Sequence, residues 1–375
     1  MAPAKESSNE SDSLRRNHAM IRSAETPSTA AMIETLTAIW QRLLQHSPIG
    51  PEDNFFDLGG DSSIAVELFN EIAKACGREL PPVTVYHAPT IAAQVALLEQ
   101  SLSPRLPSLV QLRPGTEDRP VFAAHGLGGS AMEFFQLVKH LETTQAIYGM
   151  QARGTDGTEE PLERIEDMAQ FHLHAVRELQ PHGPYYLLGY SLGGLVTLEM
   201  ARRLADAGEQ VALLALLESY PHRRYVSLEQ RVRLAMRVAI KHASNMLELP
   251  AADAVAYFLR PSERLSHFSR DEKGRLRHQP PTGVWSTAAM QRVRDSGYLA
   301  LQRYRPRFYG GKISFVAARE SSEFPDDPVA VWAKLVGKLT AETTPGDHFG
   351  IMTTHYESLA AVLSRYLREA NGASA

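Results

Sequence analysis

Two serines of different kinds stand out along the chain. Ser191 lies in Gly189-Tyr190-Ser191-Leu192-Gly193, where small residues on both sides let a serine be presented on a sharp strand-to-helix turn. Such a serine becomes a nucleophile when a histidine takes its proton and a carboxylate orients that histidine, in the chain order Ser, acid, His. Ser62 follows Gly59-Gly60-Asp61 at the expected start of a helix. Unpaired backbone N–H groups and the positive end of the helix dipole favour a phosphate ester there. One serine reads as a place to load a substrate, the other as a place to release it.

Fourteen histidines compete to be the base. His348, in Pro345-Gly346-Asp347-His348-Phe349-Gly350, follows the last expected strand and precedes the final helix, which is where the base belongs. His172 and His174 are two apart on a helix, so they point to different faces and do not form a metal pair. For the acid, Glu218 directly follows the strand Val211 to Leu217, while Glu320, Asp326 and Asp327 follow the next one and are alternates. The oxyanion of an acyl transfer needs two N–H donors, one of which is that of Leu192. The second comes from His125-Gly126-Leu127-Gly128-Gly129, with Leu127 first and Gly126 or Gly128 as alternates. His125 itself reads as a brace for that turn.

These residues need elements to position them. Ile33, Leu36, Trp40 and Leu43 share one helical face, as do Ile64, Leu68 and Ile72, with Gly77 placed as the stop of the second helix. A further helix runs from Ile91 to Leu102 after Pro89-Thr90. The periodicity therefore predicts a small helical bundle over residues 29–102. Pro104, Pro107 and Pro114 mark a linker over 103–119. From residue 120 the pattern changes to short apolar strands near 121–125, 146–150, 185–190, 211–217, 312–317 and 339–343. Helices are expected near 131–141, 165–179, 192–207, 329–337 and 356–368. That alternation predicts a mostly parallel sheet wrapped on both faces, over 120–372. Residues 221–308 break the alternation as a long helical, Arg-rich insertion.

Composition narrows the class. The 375 residues, 43% of them apolar, can bury one large core and one small one. A formal charge of only −4 gives no global signature for nucleic acid or a membrane. Cys76 is the single cysteine, which excludes an internal disulfide and multi-cysteine metal sites and suits a reducing, cytoplasmic setting. Cys76 reads as a core residue. Residues 1–28 are polar with no apolar run, so they read as a disordered or docking arm rather than a signal peptide.

The segment Asp53-Asn54-Phe55-Phe56-Asp57-Leu58-Gly59-Gly60-Asp61-Ser62 resembles the carrier motif of nonribosomal peptide synthetases, and Val83 to Tyr86 with Pro89-Thr90-Ile91 extend the likeness across the bundle. The resemblance implies covalent phosphopantetheine on Ser62, not Ser63, installed by a phosphopantetheinyl transferase. Residues 105–370 resemble a type I thioesterase of peptide and polyketide synthetases, an α/β-hydrolase. That likeness maps the acid onto Glu218 in Leu217-Glu218-Ser219-Tyr220-Pro221, where members of the family usually carry Asp, and makes the insertion a lid over the active site.

The combined expectation is a carrier–thioesterase didomain: a four-helix carrier bundle followed by an α/β-hydrolase with a helical lid. It takes a peptidyl or acyl chain from an upstream synthetase and releases it through a serine acyl-enzyme on Ser191, by hydrolysis or cyclisation. A proofreading thioesterase, an esterase of free substrates, and a non-catalytic docking subunit are the other classes. Met1 and the polar arm favour a separate subunit whose arm docks the upstream partner. Residues 221–310 hold 17 Lys and Arg against 7 Asp and Glu, whereas residues 28–101 hold 3 against 9. Arg233, Arg237 and Lys241 share one helical face, and complementary fields are expected to steer the carrier toward the lid.

Overall fold

A computed structural model describes residues 28–100, 106–248, 268–270, 276–278, 288–320 and 324–374. The expected arm lies outside the described residues, as do large parts of the expected lid.

The first unit is built on helices α1 (Thr29–Leu44), α2 (Ser62–Cys76) and α3 (Ile91–Glu99), with a 3-10 turn at Pro82–Tyr86 in the place of a fourth helix. Pro81 and Pro82 remove N–H donors that a longer helix would need, so this element stays short. Each α-helix starts on a side-chain cap: Ser28 accepts from Ala31 N, Asp61 from Ile64 N and Thr90 from Ala93 N. Trp40, Phe55, Leu68 and Ile91 fill the core, and the Trp40 indole N–H donates to Gln94 Oε1 at 3.2 Å. Cys76 is half-buried against this core, which pushes its thiol pKa up.

The second unit is a seven-stranded sheet of β1 (Leu109–Arg113), β2 (Glu117–Ala124), β3 (Gln145–Met150), β4 (Tyr185–Tyr190), β5 (Val211–Leu217), β8 (Tyr309–Ala318) and β9 (Val336–Thr344). Their spatial order is β1-β3-β2-β4-β5-β8-β9, and every pairing is parallel except β1 with β3. A separate hairpin pairs β6 (Phe268–Arg270) with β7 (Leu276–His278). Helices on both faces explain why the central strands are apolar throughout. Alternate residues of β5 point to opposite cores: Leu214 and Leu216 join α5 (Ile165–Leu179) and α6 (Leu192–Asp206), whereas Leu213, Ala215 and Leu217 join α4 (Phe135–His140) and the final helix Tyr356–Ser374.

The second unit departs from the sequence expectations at three places. Residues 109–113 of the expected linker form the edge strand β1, with Val110 fully buried. The expected helix 131–141 is a 3-10 turn, Ala131–Phe134, followed by α4. The expected helix 329–337 stops at Trp332, because Val336 already pairs with Tyr309 at the start of β9. Within the expected insertion, the described helices are α7 (Leu228–Glu248) and α8 (Ala288–Arg303).

The two units touch through aromatic and apolar groups. Phe56 stacks on Phe135 at 5.7 Å between ring centres, Tyr86 meets the same ring edge-on at 6.2 Å, and Lys139 Nζ lies 4.1 Å from its centre. Val110, Ala131 and Met132 belong to the same buried cluster as the carrier core. Among the described residues this contact is aromatic and apolar, and large parts of the basic segment to which the charge pattern points lie outside them. Arg233 pairs with Asp326 at 3.3 Å and Arg237 donates to the Phe324 carbonyl at 2.6 Å, so both tie α7 to the loop before α9 (Pro328–Trp332).

Candidate active site

At the end of β4 the chain turns directly into α6. Ser191 occupies that turn with φ 53° and ψ −117°, a conformation that costs a non-glycine residue about 1–3 kcal/mol and is held by its surroundings. The Ser191 N–H donates to the Leu217 carbonyl at 2.9 Å. Gly193 lies so close to the Ala124 and His125 carbonyls that any side chain would collide with backbone. The residue types around Ser191 thus follow from the tight passage between β2 and α6.

Glu218 also has positive φ, at 46°, and its side chain is fully buried. One carboxylate oxygen, Oε1, accepts from Ala318 N at 2.7 Å. The other, Oε2, lies 3.5 Å from His348 Nδ1, and among the described residues neither of these two atoms has another hydrogen-bond partner. That separation is longer than a formed N–H···O bond, and catalytic hydrogen bonds often shorten only in the substrate complex. His348 is fixed by aromatic neighbours: Tyr190 stacks on it at 5.1 Å, Phe324 lies at 4.7 Å, and Phe349 meets it edge-on at 5.2 Å. The Tyr190 hydroxyl donates to the His348 carbonyl at 2.7 Å, which anchors the loop to the residue just before Ser191.

Two of the alternate acids are engaged elsewhere, and the third, Glu320, is exposed. Asp326 pairs with Arg233, and Asp327 caps α9 by accepting from Ala330 N at 2.9 Å. The Glu320 N–H donates to the Gly346 carbonyl at 3.0 Å.

Among the described residues, the N–H groups of Leu127 and Leu192 have no acceptor within the protein. Their side chains both border Gly297 of α8, so the turn after β2 and the start of α6 meet at that helix. His125 Nδ1 donates to the Gly126 carbonyl at 2.7 Å. Burial pushes its pKa down to about 4 and that of the neighbouring His172 down to about 3, so both are neutral at physiological pH. His172 is buried and His174 exposed. With Met168, Phe171, Leu192 and Val293, the two buried rings line a cavity of about 20 Å³ beside the turn, room for one water. Ala152, Arg153 and Phe171 also line a groove of about 550 Å³ that continues outward.

Sequence reasoning passed over Glu133. Its Oε2 accepts from the Gly126 N–H at 2.6 Å, and burial pushes its carboxyl pKa up to about 7 although two backbone N–H groups bond to it. The signal was present as Ser130-x-x-Glu133, the capping-box spacing. Here Ser130 does cap, through Met132 N at 3.2 Å, but the glutamate reaches into the preceding turn instead.

The start of α2 fits an attached phosphate ester. Asp61 takes up only the Ile64 N–H, at 2.9 Å, and no acceptor is found among the described residues for the Ser63 N–H. Gly60 packs its backbone against the Phe55 ring, where a Cβ would collide, and so brings the loop tightly to the helix start.

Comparison with known proteins agrees with this division. Residues 119–367 match the thioesterase domain family and residues 34–98 match the phosphopantetheine attachment site. The chain is 40% identical over 190 residues to a dimodular nonribosomal peptide synthase of Bacillus subtilis, covering 50% of this chain and 8% of that protein. It is 31% identical over 288 residues to malpibaldin synthetase of Mortierella alpina, covering 76% of this chain and 5% of that protein. A crystal structure of a four-domain holo nonribosomal peptide synthetase with AMP and glycine bound shares the fold. Its TM-score is 0.54 at 23% identity, covering 97% of this chain and 27% of that one. Among the described residues no helix is long and apolar enough to cross a membrane. With an attachment domain for phosphopantetheine preceding an α/β sheet, and with Tyr190 beside the tight serine turn stacked on the histidine that meets a buried carboxylate, this chain belongs to the thioesterase family.

Proposed function

We propose that the chain ends a nonribosomal peptide assembly line: the carrier unit receives a peptidyl or acyl chain from an upstream synthetase, and the thioesterase unit releases it. The observation that carries this reading is the strained Ser191 turn beside His348, whose ring is stacked on the preceding Tyr190 and faces Glu218. Phosphopantetheine, attached to Ser62 by a phosphopantetheinyl transferase, supplies a thiol that holds the acyl chain as a thioester. Ser191 Oγ attacks the thioester carbonyl while His348 takes its proton through Nε2. Glu218 holds His348 in the tautomer that leaves Nε2 free, and it stabilises the imidazolium that forms. The Leu127 and Leu192 N–H groups hold the oxyanion. His348 then returns the proton to the leaving sulfur, and Ser191 carries the acyl group as an ester. Water, or an amine or hydroxyl within the acyl chain, attacks that ester with His348 again as base, giving a linear or a cyclic product.

The test is intact-protein mass spectrometry of the acyl-loaded full chain. Wild type should lose its acyl group with turnover. Ser191→Ala should retain it, with release slowed about 10³-fold or more, because only the oxyanion hole and binding remain. Release from Ser191→Ala at the wild-type rate would refute the assignment.

A further inference from the structure

The turn after β2 is pinned by more bonds than a loop of its length needs. Gly126 N–H donates to Glu133 Oε2 at 2.6 Å, and the Gly128 N–H bonds to the same carboxyl. Gly129 N–H returns to the Gly126 carbonyl at 3.2 Å, and the Gly129 carbonyl accepts from Ala152 N at 2.9 Å. His125 Nδ1 adds its bond to the Gly126 carbonyl at 2.7 Å. The sequence left three N–H groups open as the second oxyanion donor, those of Gly126, Leu127 and Gly128. Two of them are now occupied.

We propose that Glu133 is a positioning residue for the oxyanion hole: by taking up the Gly126 and Gly128 N–H groups it leaves the Leu127 N–H as the one donor this turn can offer, and holds that donor opposite Leu192. The proposal rests on the reading in which Ser191 is acylated. Two further observations support it. The Leu127 and Leu192 side chains border the same residue of α8, Gly297, and Gly193 lies against the Ala124 and His125 carbonyls, so the two segments approach each other. Glu133 itself lies against the Gly126 backbone together with the Tyr190 ring, at the end of the strand that presents Ser191.

Among the described residues no cation is found paired with Glu133. The titratable groups around it are His125, which burial keeps neutral, and Tyr190, whose phenol burial also keeps neutral. Beyond Tyr190 lie Glu218, Asp347 and His348. Among the described residues the carboxylate is therefore held by backbone N–H groups. Two carboxylate oxygens can accept two N–H groups, whereas a protonated carboxyl turns one of its oxygens into a donor and gives up a partner. The carboxyl pKa near 7 brings that exchange into the working pH range.

Removing one oxyanion donor costs about 10²–10³ in kcat, and loosening one should cost less. The experiment compares wild type, Glu133→Leu and Glu133→Gln as full chains on a soluble acyl thioester, with kcat and KM followed across pH and fluorophosphonate labelling measured alongside. Glu133→Leu should lower kcat by about 10- to 100-fold with KM nearly unchanged, since the oxyanion exists only in the transition state. Labelling should slow in parallel. Glu133→Gln, with one acceptor oxygen, should lose less, and the acid limb of its log kcat profile should fall from two-proton to one-proton dependence, the limb left by the general base alone. A folded Glu133→Leu with wild-type kcat, or a Glu133→Gln acid limb identical to wild type, overturns the proposal. If Glu133→Leu does not fold, the near-isosteric Glu133→Gln profile decides alone. A Ser191→Ala control that still reacts with the fluorophosphonate would instead place the failure with the nucleophile.

Discussion

Glu218→Gln isolates the orienting role of the carboxylate, because the change removes charge while keeping shape. Oε1 already accepts the Ala318 N–H at 2.7 Å, and Oε2 faces His348 Nδ1. A glutamine has two ways to fit. It can keep its oxygen on Ala318 and turn its NH₂ toward His348, which forces the imidazole to accept at Nδ1 and carry its proton on Nε2, the atom that must take the proton of Ser191. Or it can reverse, leaving NH₂ against the Ala318 N–H, a buried donor facing a donor at a cost of about 1–3 kcal/mol. The first arrangement is favoured. The wrong tautomer lowers kcat by about 10⁴-fold, which at about 1.4 kcal/mol per tenfold is roughly 5.5 kcal/mol of transition-state stabilisation. Stability should hold or rise, since a neutral amide is cheaper to bury than a carboxylate. The assay is pre-steady-state release from the acyl-loaded chain, with thermal unfolding of the same samples. Glu218→Asp should retain partial activity, because its shorter arm cannot reach both Ala318 and His348. An active Glu218→Gln beside an inactive Asp326→Asn or Asp327→Asn refutes the reasoning. Retained activity with a Tm lowered by about 2–10 °C would mean that the reversed arrangement won.

Two further outcomes are expected. Ser62→Ala should abolish phosphopantetheine loading and Ser63→Ala should not, as read by the added mass of the arm; loading of Ser62→Ala would remove the carrier assignment. Acid should weaken the fold through the buried imidazoles of His125 and His172. Their pKa values in the fold, about 4 and about 3, lie below the ordinary 6.5, so the unfolded chain binds more protons and stability falls as pH drops from about 6.5 toward 3. Glu133 works in the opposite sense between about 7 and 4.5, but it is one group against two. Denaturant titrations at several pH values should show this decline, and it should shrink in His172→Phe; a decline of equal size in that variant would place the acid sensitivity elsewhere.

Most of the candidate site could be read from sequence because its residues lie in local constraints. Gly193 must lack a side chain where α6 crosses the Ala124 and His125 carbonyls, so the turn that presents Ser191 is visible as a residue pattern. Glu218 and His348 are visible because each follows a strand of the alternating fold. What escaped depends on partners distant in sequence or across a turn. Leu109 to Arg113 lies among prolines and reads as linker, yet β3 offers an open edge, and antiparallel pairing from Leu109 with Met150 to Arg113 with Ile147 makes it a strand. Arg233 and Arg237 read as a free basic face; in the fold they hold the loop carrying Phe324 against His348. Glu133 escaped because its spacing signals a helix cap, and only the three-dimensional turn shows which N–H groups it takes instead.

The edge strand β1 has a consequence for cutting the chain apart. An excised thioesterase beginning at residue 119, where its family match begins, would lose β1 and uncover the backbone edge of β3. An open, apolar strand edge is a template for intermolecular pairing. Cutting before Leu109 would keep the edge covered, but Val110, Ala131 and Met132, buried in the same cluster as the carrier core, would then face water. The two units are thus separable modules in function but share a seam. Recombining this release unit with a foreign carrier calls for transferring β1 with the thioesterase and matching Phe56 and Tyr86 on the incoming carrier to the Phe135 ring.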